Sequence, residues 1–452
     1  MVLNKKVVAK VLCAATVAIG FFMLIPCGVS LLYNEQRSAV SFLICAVPMI
    51  LLGAVLLKVI GHTDRKTLGL RDGFFIVGSA WMVFTLFGAL PFVISGAIPS
   101  LTDAYFETAS GFSTTGASIL TDVEALPKGM LFWRSFTHWI GGMGILVFTI
   151  AILPALGIGG QKIMRAETTG PSMDKITFTF NDSARSLYLI YSAMTVIEMI
   201  LLLLFGMDLF DSVVISFGTL GTGGFGIHAD SCAGYNDICQ MIISVFMMLA
   251  GINFNLYYLA LNKKGKQALK DTEMRVYLAI VAGATCFILG MLMLTGQAQS
   301  LWEAFRLAYF QVCSIITTTG YATCDFDLWP LPVKFVLMLL MLIGGCASST
   351  GGGMKVIRFI LGVKIAVRSV RRRFHPNAVS TVKLGGKTVP EATIQTVSEF
   401  LMLYFMTLAI GTLLIGMENV SLITAFTSVL ACVSNIGPGF EAVGPTLSFA
   451  LP

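Results

Sequence analysis

The sequence predicts an all-α integral membrane protein: an opening transmembrane helix pair, then four parallel helix–pore loop–helix repeats with pseudo-fourfold symmetry, the last helix missing. Three observations carry this expectation. The 452 residues are 56% hydrophobic and only 12% charged, with a mean hydropathy of +0.84, whereas a soluble domain carries about a quarter charged residues. The apolar runs are long and do not alternate, as in membrane helices rather than barrel strands. A short glycine-centred pattern recurs four times, roughly every 100 residues, each time after a segment too short to cross a bilayer.

Lys5, Lys6 and Lys10 before the run Val11–Leu32 imitate a signal peptide. The run is too long for an h-region, no small-residue cleavage site follows, and a second span begins at once, so it reads as a retained helix. Residues 7–32 and 39–60 form the opening pair, within 1–70. Lys58, Arg65, Lys66 and Arg71 place both its ends, the N-terminus included, in the cytoplasm.

The first repeat, 71–183, has helices over 73–97 and 130–156 around the short segment Thr102–Phe112. The second, 184–274, has helices over 185–207 and 237–261 around Asp211–Thr219. The third, 275–390, has helices over 276–295 and 332–343 around Trp302–Ile315, then a basic cytoplasmic segment. The fourth, 391–452, has a helix over 392–416 before Ser421–Val433. At ~1.5 Å per residue the first short segment reaches about half the hydrocarbon thickness, so such segments dip in and return. Thr102-Asp103, Asp211-Ser212 and Ser421 are the expected caps of the short helices.

Lys and Arg gather in 158–185 (Lys162, Arg165, Lys175, Arg185), 262–275 and 355–390 (Arg371, Arg372 and Arg373 among them). The loops around the glycine patterns instead carry acids such as Asp103, Asp122, Glu124, Asp208, Asp237, Asp327 and Glu441. Each repeat therefore enters from and returns to the cytoplasm, with its pore loop on the outer side. Repeats of one orientation are related by an axis along the membrane normal.

The patterns are Ser113-Thr114-Thr115-Gly116-Ala117, Leu220-Gly221-Thr222-Gly223-Gly224, Thr317-Thr318-Thr319-Gly320-Tyr321 and Ser434-Asn435-Ile436-Gly437-Pro438. A permeating cation exchanges its water shell for oxygens, and rings of backbone carbonyls supply them. Turning successive carbonyls one way needs backbone angles that glycine tolerates. The C-termini of the short helices add partial negative charge, and acidic outer loops raise the local cation concentration.

A helix break at Gly344-Gly345-Cys346-Ala347-Ser348-Ser349-Thr350-Gly351-Gly352-Gly353 follows the short apolar run 332–343. It reads either as an intramembrane loop able to obstruct an ion path below the filter, or as a plain helix end at the cytoplasmic surface. Cys232 and Cys239 share a loop and are candidates for a disulfide. Glu107 and Arg306, in pore segments, are expected to brace the filter, and Glu198 and Glu399 to pair with a neighbour or lie at an interface. The net charge of +6 follows membrane topology and not nucleic-acid binding. Phosphate-loop, triad, HExxH and zinc patterns are absent, so neither an enzyme nor a resident cofactor is expected.

The chain resembles the Trk/Ktr family of potassium transporters, and within it the bacterial TrkH branch. The resemblance rests on the four patterns, on Trp133-Arg134-Ser135 with Trp139-Ile140-Gly141-Gly142-Met143-Gly144, and on Ala166-Glu167-Thr168-Thr169-Gly170-Pro171. It also rests on Gly251-Ile252-Asn253-Phe254, Ser314-Ile315-Ile316-Thr317-Thr318-Thr319-Gly320 and Asn435-Ile436-Gly437-Pro438-Gly439. The extra opening pair fits this branch better than the shorter Ktr subunits.

The resemblance implies K+ as the transported ion, through a channel-like pore or symporter of the bacterial cytoplasmic (inner) membrane. It implies a homodimer on a cytosolic ring of nucleotide-binding, TrkA-like regulatory subunits, with 344–353 as the gating loop. Glycine at Gly116 implies potassium selectivity. It also implies one more helix after the fourth pattern, whereas the sequence stops at Leu451-Pro452, so the fourth repeat is expected to lack its second helix. A secondary transporter of an organic solute and a non-conducting scaffold are the competing expectations.

Overall fold

The computed structural model describes residues 5–61, 70–144, 180–377 and 380–450. Six of the described helices are long and apolar enough to cross a membrane: Lys5–Leu32, Gln36–Ile60, Asp72–Ser95, Ser186–Leu204, Thr272–Leu294 and Glu391–Gly416. Their outward faces are apolar. Leu51, Leu52, Val55 and Val59 are exposed on the second helix, and Met402, Leu403, Ile410, Leu413 and Leu414 on the last. Surfaces of this kind are at home in lipid and not in water. The protein is a nearly all-α, multi-pass membrane protein.

Two compact units divide the chain, one holding the described residues up to Ala229 and the other those from Asp230. In the first, helices α1 (Lys5–Leu32) and α2 (Gln36–Ile60) form the opening hairpin, turned at Asn34 and tied at its base by Lys10 Nζ to the Gly61 carbonyl (2.8 Å). They pack with α3 (Leu70–Ser95), α4 (Leu101–Ser113) and α5 (Lys128–Gly142) around Trp133. The Trp133 ring meets Phe42 and Phe112 edge-on, and its N–H reaches the Gly88 carbonyl at 3.0 Å. A buried indole must find such a partner. Helices α6 (Phe180–Leu204) and α7 (Leu209–Gly221) complete the unit.

The second unit contains α8 (Asp237–Ala250), α9 (Phe254–Leu259), a π-helical turn over Ala260–Lys264, α10 (Gly265–Ala268) and α11 (Thr272–Leu294). There follow α12 (Leu301–Ile316), α13 (Leu331–Ile343), α14 (Val356–Phe374), a two-stranded hairpin Lys383–Leu384/Lys387–Thr388, α15 (Glu391–Gly416) and α16 (Leu422–Ser434).

Several sequence expectations shift. The helix expected over 237–261 is two helices bent by 89° at Gly251-Ile252-Asn253. Gly251 closes the first, and Asn253 starts the second, its side chain accepting the Asn255 N–H (3.0 Å) as an N-cap. The basic segment 355–390 is not simply a loop: most of it is α14, whose Val356, Ile357, Ile360 and Leu361 are buried at helical spacing. Two short helices start earlier than expected: Ser100 caps α4 in place of Thr102-Asp103, and Asp208 stands at the start of α7, without a side-chain bond, in place of Asp211-Ser212. Ser421 caps α16 as expected, and Ser300 caps α12. Cys232 and Cys239 are both buried and are not joined in a disulfide. Residues 145–156, the basic residues Lys162, Arg165 and Lys175, and the motif 166–171 lie outside the described residues, as do Arg65 and Lys66.

Candidate cation filter and loop

The four glycine patterns all lie at the C-terminal ends of short helices: α4, α7, α12 and α16, of 13, 13, 16 and 13 residues. Each exit is built the same way. A residue in the left-handed region follows the helix: Thr114 (φ 59°), Thr222 (φ 53°), Thr318 (φ 61°) and Asn435 (φ 56°). Its N–H donates three residues back, to Gly111, Thr219, Ile315 and Cys432. The next N–H donates five back, to Ser110, Gly218, Ser314 and Ala431, at 2.9, 2.9, 2.9 and 2.8 Å. This is a Schellman-type closure, usually made by glycine. A β-branched residue there is a backbone outlier, held only because its surroundings over-determine it.

Two residues after each left-handed residue stands a second one, always glycine: Gly116 (φ 79°), Gly224 (φ 77°), Gly320 (φ 88°) and Gly437 (φ 91°). The second pattern is therefore centred on Gly224, one residue later than the sequence suggests. Gly223 occupies the position of Thr115, Thr319 and Ile436. It is glycine for a different reason: a Cβ there would fall into the His138 ring.

Within each unit two exits abut. A Cβ on Gly116 would strike the Gly223 carbonyl, and one on Gly320 the Ile436 carbonyl. Hydroxyls stiffen the first and third copies alike: Ser113 Oγ meets Thr115 Oγ1, and Thr317 Oγ1 meets Thr319 Oγ1, both at 2.8 Å.

The segments after the glycines are anchored by buried polar groups. Glu107, fully buried, takes the Arg134 guanidinium at 2.6 Å and the Ile119 N–H at 3.0 Å, with the Ser118 hydroxyl beside it. Arg134 also reaches the Gly226 carbonyl (3.1 Å) and lies over the Phe225 ring. His138 joins the two copies of the first unit. Its Nε2 accepts the Phe225 N–H (3.3 Å), so Nδ1 carries the proton and donates to the Gly111 carbonyl (2.8 Å). In the second unit Arg306 pairs with Asp237 (3.3 Å) and bonds Gln240, whose amide holds the carbonyls of Cys232, Ala233 and Tyr235. Tyr321 is buried, and its carbonyl accepts from Ser314 Oγ (2.6 Å). Pro438 Cδ packs where a Cβ on Gly320 would point.

The acidic residues of the loops around the exits make specific bonds. Asp327 pairs with Lys334 (3.0 Å) and accepts the Glu441 N–H, while the Glu441 carboxyl bonds Ser421 and Thr424. Glu124 accepts the Ala229 N–H (3.1 Å) near His228, and that backbone bond holds its carboxyl below the ordinary range. Glu198 is fully buried, with the Thr219 hydroxyl as its neighbour. Glu399 is exposed and takes the Gln395 amide (2.9 Å).

The break after α13 runs from Gly344 to Lys355 and returns into α14. Its two ends touch: a Cβ on Gly344 would meet the Gly352 carbonyl at 2.5 Å. Its tip meets the third and fourth exits. The Gly352 N–H donates to Thr318 Oγ1 at 2.5 Å, and a Cβ on Gly351 would lie 2.6 Å from the Thr317 carbonyl. Its flank is stitched to the break after α8. Cys346 N–H donates to Gly251, Thr350 Oγ1 to Ala250, and the Ser348 carbonyl accepts from Phe254. Ser348 (φ 54°) and Lys355 (φ 75°) turn the chain, and Ser349 Oγ donates to Cys346 (2.6 Å). The loop is packed inside protein, where irregular backbone is tolerated at depth.

Among the described residues no group of three or more His, Cys, Asp or Glu is placed to hold a metal. The oxygens on offer at the exits are carbonyls and hydroxyls. The profile of the TrkH family, described as cation transport protein, matches residues 40–449. The chain belongs to the TrkH family. The Trk system potassium uptake protein TrkH of Vibrio parahaemolyticus is 38% identical over 433 residues, 93% of this chain and 88% of the relative. Its Escherichia coli K12 counterpart is 38% identical over 395 residues, 86% and 81%, and TrkG of that strain 33% over 427, 93% and 87%. The crystal structure of the potassium transporter TrkH from Vibrio parahaemolyticus superposes with a TM-score of 0.87 at 34% identity, covering 99% of this chain and 93% of that one. A TrkH-family chain is a transporter and not an enzyme.

His138, Glu273 and Lys355 were not singled out by the sequence, nor was Arg134 as the partner of Glu107. An ionisable residue inside an apolar run was the available signal for Arg134; Glu273 sits among Lys270, Asp271 and Arg275 and carries no such signal. Nothing local marks His138 as the link between two exits.

Proposed function

We propose that the protein carries K+ into the cell through a filter built by the four exits. Its oxygens come from Thr114, Thr115, Gly116 and Ala117, from Gly221 to Gly224, from Thr318 to Tyr321, and from Asn435 to Pro438. The observation that supports this best is the repeated pair of N–H bonds that releases four short helices into the same left-handed step, residue for residue. Stacked carbonyls can then replace a hydration shell. The names and close likeness of the potassium-uptake relatives favour K+ as the cargo.

On this reading 1–70 is the opening pair and 71–183, 184–274, 275–390 and 391–452 are pore repeats. Residues 344–353 form the gate, and the protein sits in the bacterial inner membrane with its N-terminus in the cytoplasm. It works as a homodimer with cytosolic, TrkA-like nucleotide-binding subunits, in keeping with a relative named as part of a system. The helices before the exits, at 13–16 residues, are too short to serve as the full spans an organic-solute transporter would need.

Purified protein in liposomes is expected to pass K+ and Rb+ far better than Na+, and Gly116→Ser to weaken that preference. Equal K+ and Na+ flux in the unsubstituted protein would sink the proposal.

A further inference from the structure

The Gly-rich loop is closed by two buried charged side chains acting from different sides. Glu273, in the first turn of α11, is 5% exposed. Its Oε1 accepts the N–H of Ala347 (2.7 Å) and of Ile357 (3.0 Å), which stand near the two ends of the loop. Lys355, 3% exposed, donates from its ammonium to the Gly351 carbonyl and reaches Ser349 Oγ at 3.5 Å. Held at both ends and across its middle, the loop keeps Gly351 and Gly352 against Thr317 and Thr318. Burying a carboxyl group is costly unless it is hydrogen-bonded, and bonds between an ionised acceptor and backbone N–H groups are the strong ones. Among the described residues, the hydrogen bonds the Glu273 side chain accepts come from the loop at Ala347 and from the first turn of α14 at Ile357.

The position of Glu273 gives the contact a second meaning. It lies two residues after Asp271, whose side chain caps α11 by accepting the Met274 N–H (2.8 Å). Immediately before come the π-helical turn Ala260–Lys264 and the basic residues Lys266 and Lys270. A single π turn inside a helical stretch is uncommon and tends to mark functional sites. A force on this basic segment therefore acts on the start of α11, where the loop is held.

We propose that Glu273 is the positioning residue that latches the loop shut, acting through the loop backbone and never touching the ion. The proposal rests on the reading of 344–353 as the gate. It deepens that reading by naming what holds the gate and where a cytosolic partner would release it.

The test uses the full chain in liposomes without cytosolic subunits, with Rb+ influx as readout. Glu273→Ala is expected to raise initial influx about tenfold, the worth of one strong hydrogen bond lost from the closed state, with K+ still preferred over Na+. Glu273→Gln keeps an acceptor oxygen and is expected to stay at the unsubstituted level. A variant lacking Gly351 and Gly352 separates the two claims. If that deletion raises influx and Glu273→Ala does not, the latch is overturned and the gate stands. If neither raises it, the gate reading falls and takes the latch with it.

A second measurement does not depend on flux. Cys346, in the loop, is fully buried. Glu273→Asp keeps the charge but shortens the reach, and is expected to speed maleimide labelling of Cys346, followed by peptide mass spectrometry, by about tenfold. Unchanged labelling in both Glu273→Asp and Glu273→Ala overturns the proposal.

Discussion

Arg134 and Glu107 meet at 2.6 Å with side chains 2% and 0% exposed. Taking two charges out of water is expensive, and only mutual attraction with further hydrogen bonds offsets it. Here the further bonds go to Ser118, Ile119 and Gly226, all just beyond a left-handed exit glycine. The pair therefore converts burial cost into a fixed path for two chain segments. Removing one partner leaves the other charge uncompensated. Arg134→Met is expected to lose about 3–5 kcal/mol of stability, read as a lower unfolding midpoint in detergent. The double variant Arg134→Met/Glu107→Met is expected to lose less than the single one, because its remaining cost is an unpaired Ile119 N–H. A double variant less stable than Arg134→Met would mean that the two charges do not compensate one another.

At the scale of elements, the short helices were legible because length and periodicity are local. A run of 13 apolar-rich residues after a serine, with a glycine three residues past its end, announces itself. The break after α8 was not legible. Gly251 looks like one more small residue in a membrane helix, and the groups that need its carbonyl, Cys346 N–H among them, lie some hundred residues away in sequence. The same distance hid His138, whose ring explains Gly223 only once α5 and α7 are side by side. The one-residue offset of the second exit had a similar origin: hydrogen bonds, not letters, define the register. Asn253 is the residue that turns the break into a corner, by capping α9 and freeing the Phe254 N–H for Ser348. Asn253→Ala is expected to cost about 1 kcal/mol, seen as reduced thermal stability and faster hydrogen exchange at Phe254 and Asn255. Exchange unchanged at both amides would show that the loop, not the cap, holds the corner.

For the molecule as a whole, the decisive question is which segments cross the bilayer. The long helices run 19–28 residues and carry exposed apolar faces. The helix α4 has 13 residues, and its last turn feeds the left-handed exit at Thr114. At ~1.5 Å per residue it covers about two thirds of a ~30 Å hydrocarbon core. On the pore reading, the chain that enters at Ser100 returns to the side it came from, and Asp122 lies on that side. On the proposed topology, with Lys264, Lys266 and Arg371–Arg373 in the cytoplasm, this is the outer side. Single cysteines placed at Asp122 and at Asp325 are expected to react with an impermeant maleimide added outside intact cells. Cysteines at Lys266 and Arg372 are expected to react only after the membrane is opened. The two classes separate the pore reading from its rival without any flux measurement. A cysteine at Asp122 that reacts only from the cytoplasm would make α4 a crossing helix. A crossing helix cannot present its C-terminal carbonyls to an ion in mid-membrane, so that single result would remove the filter together with the short helix that aims it.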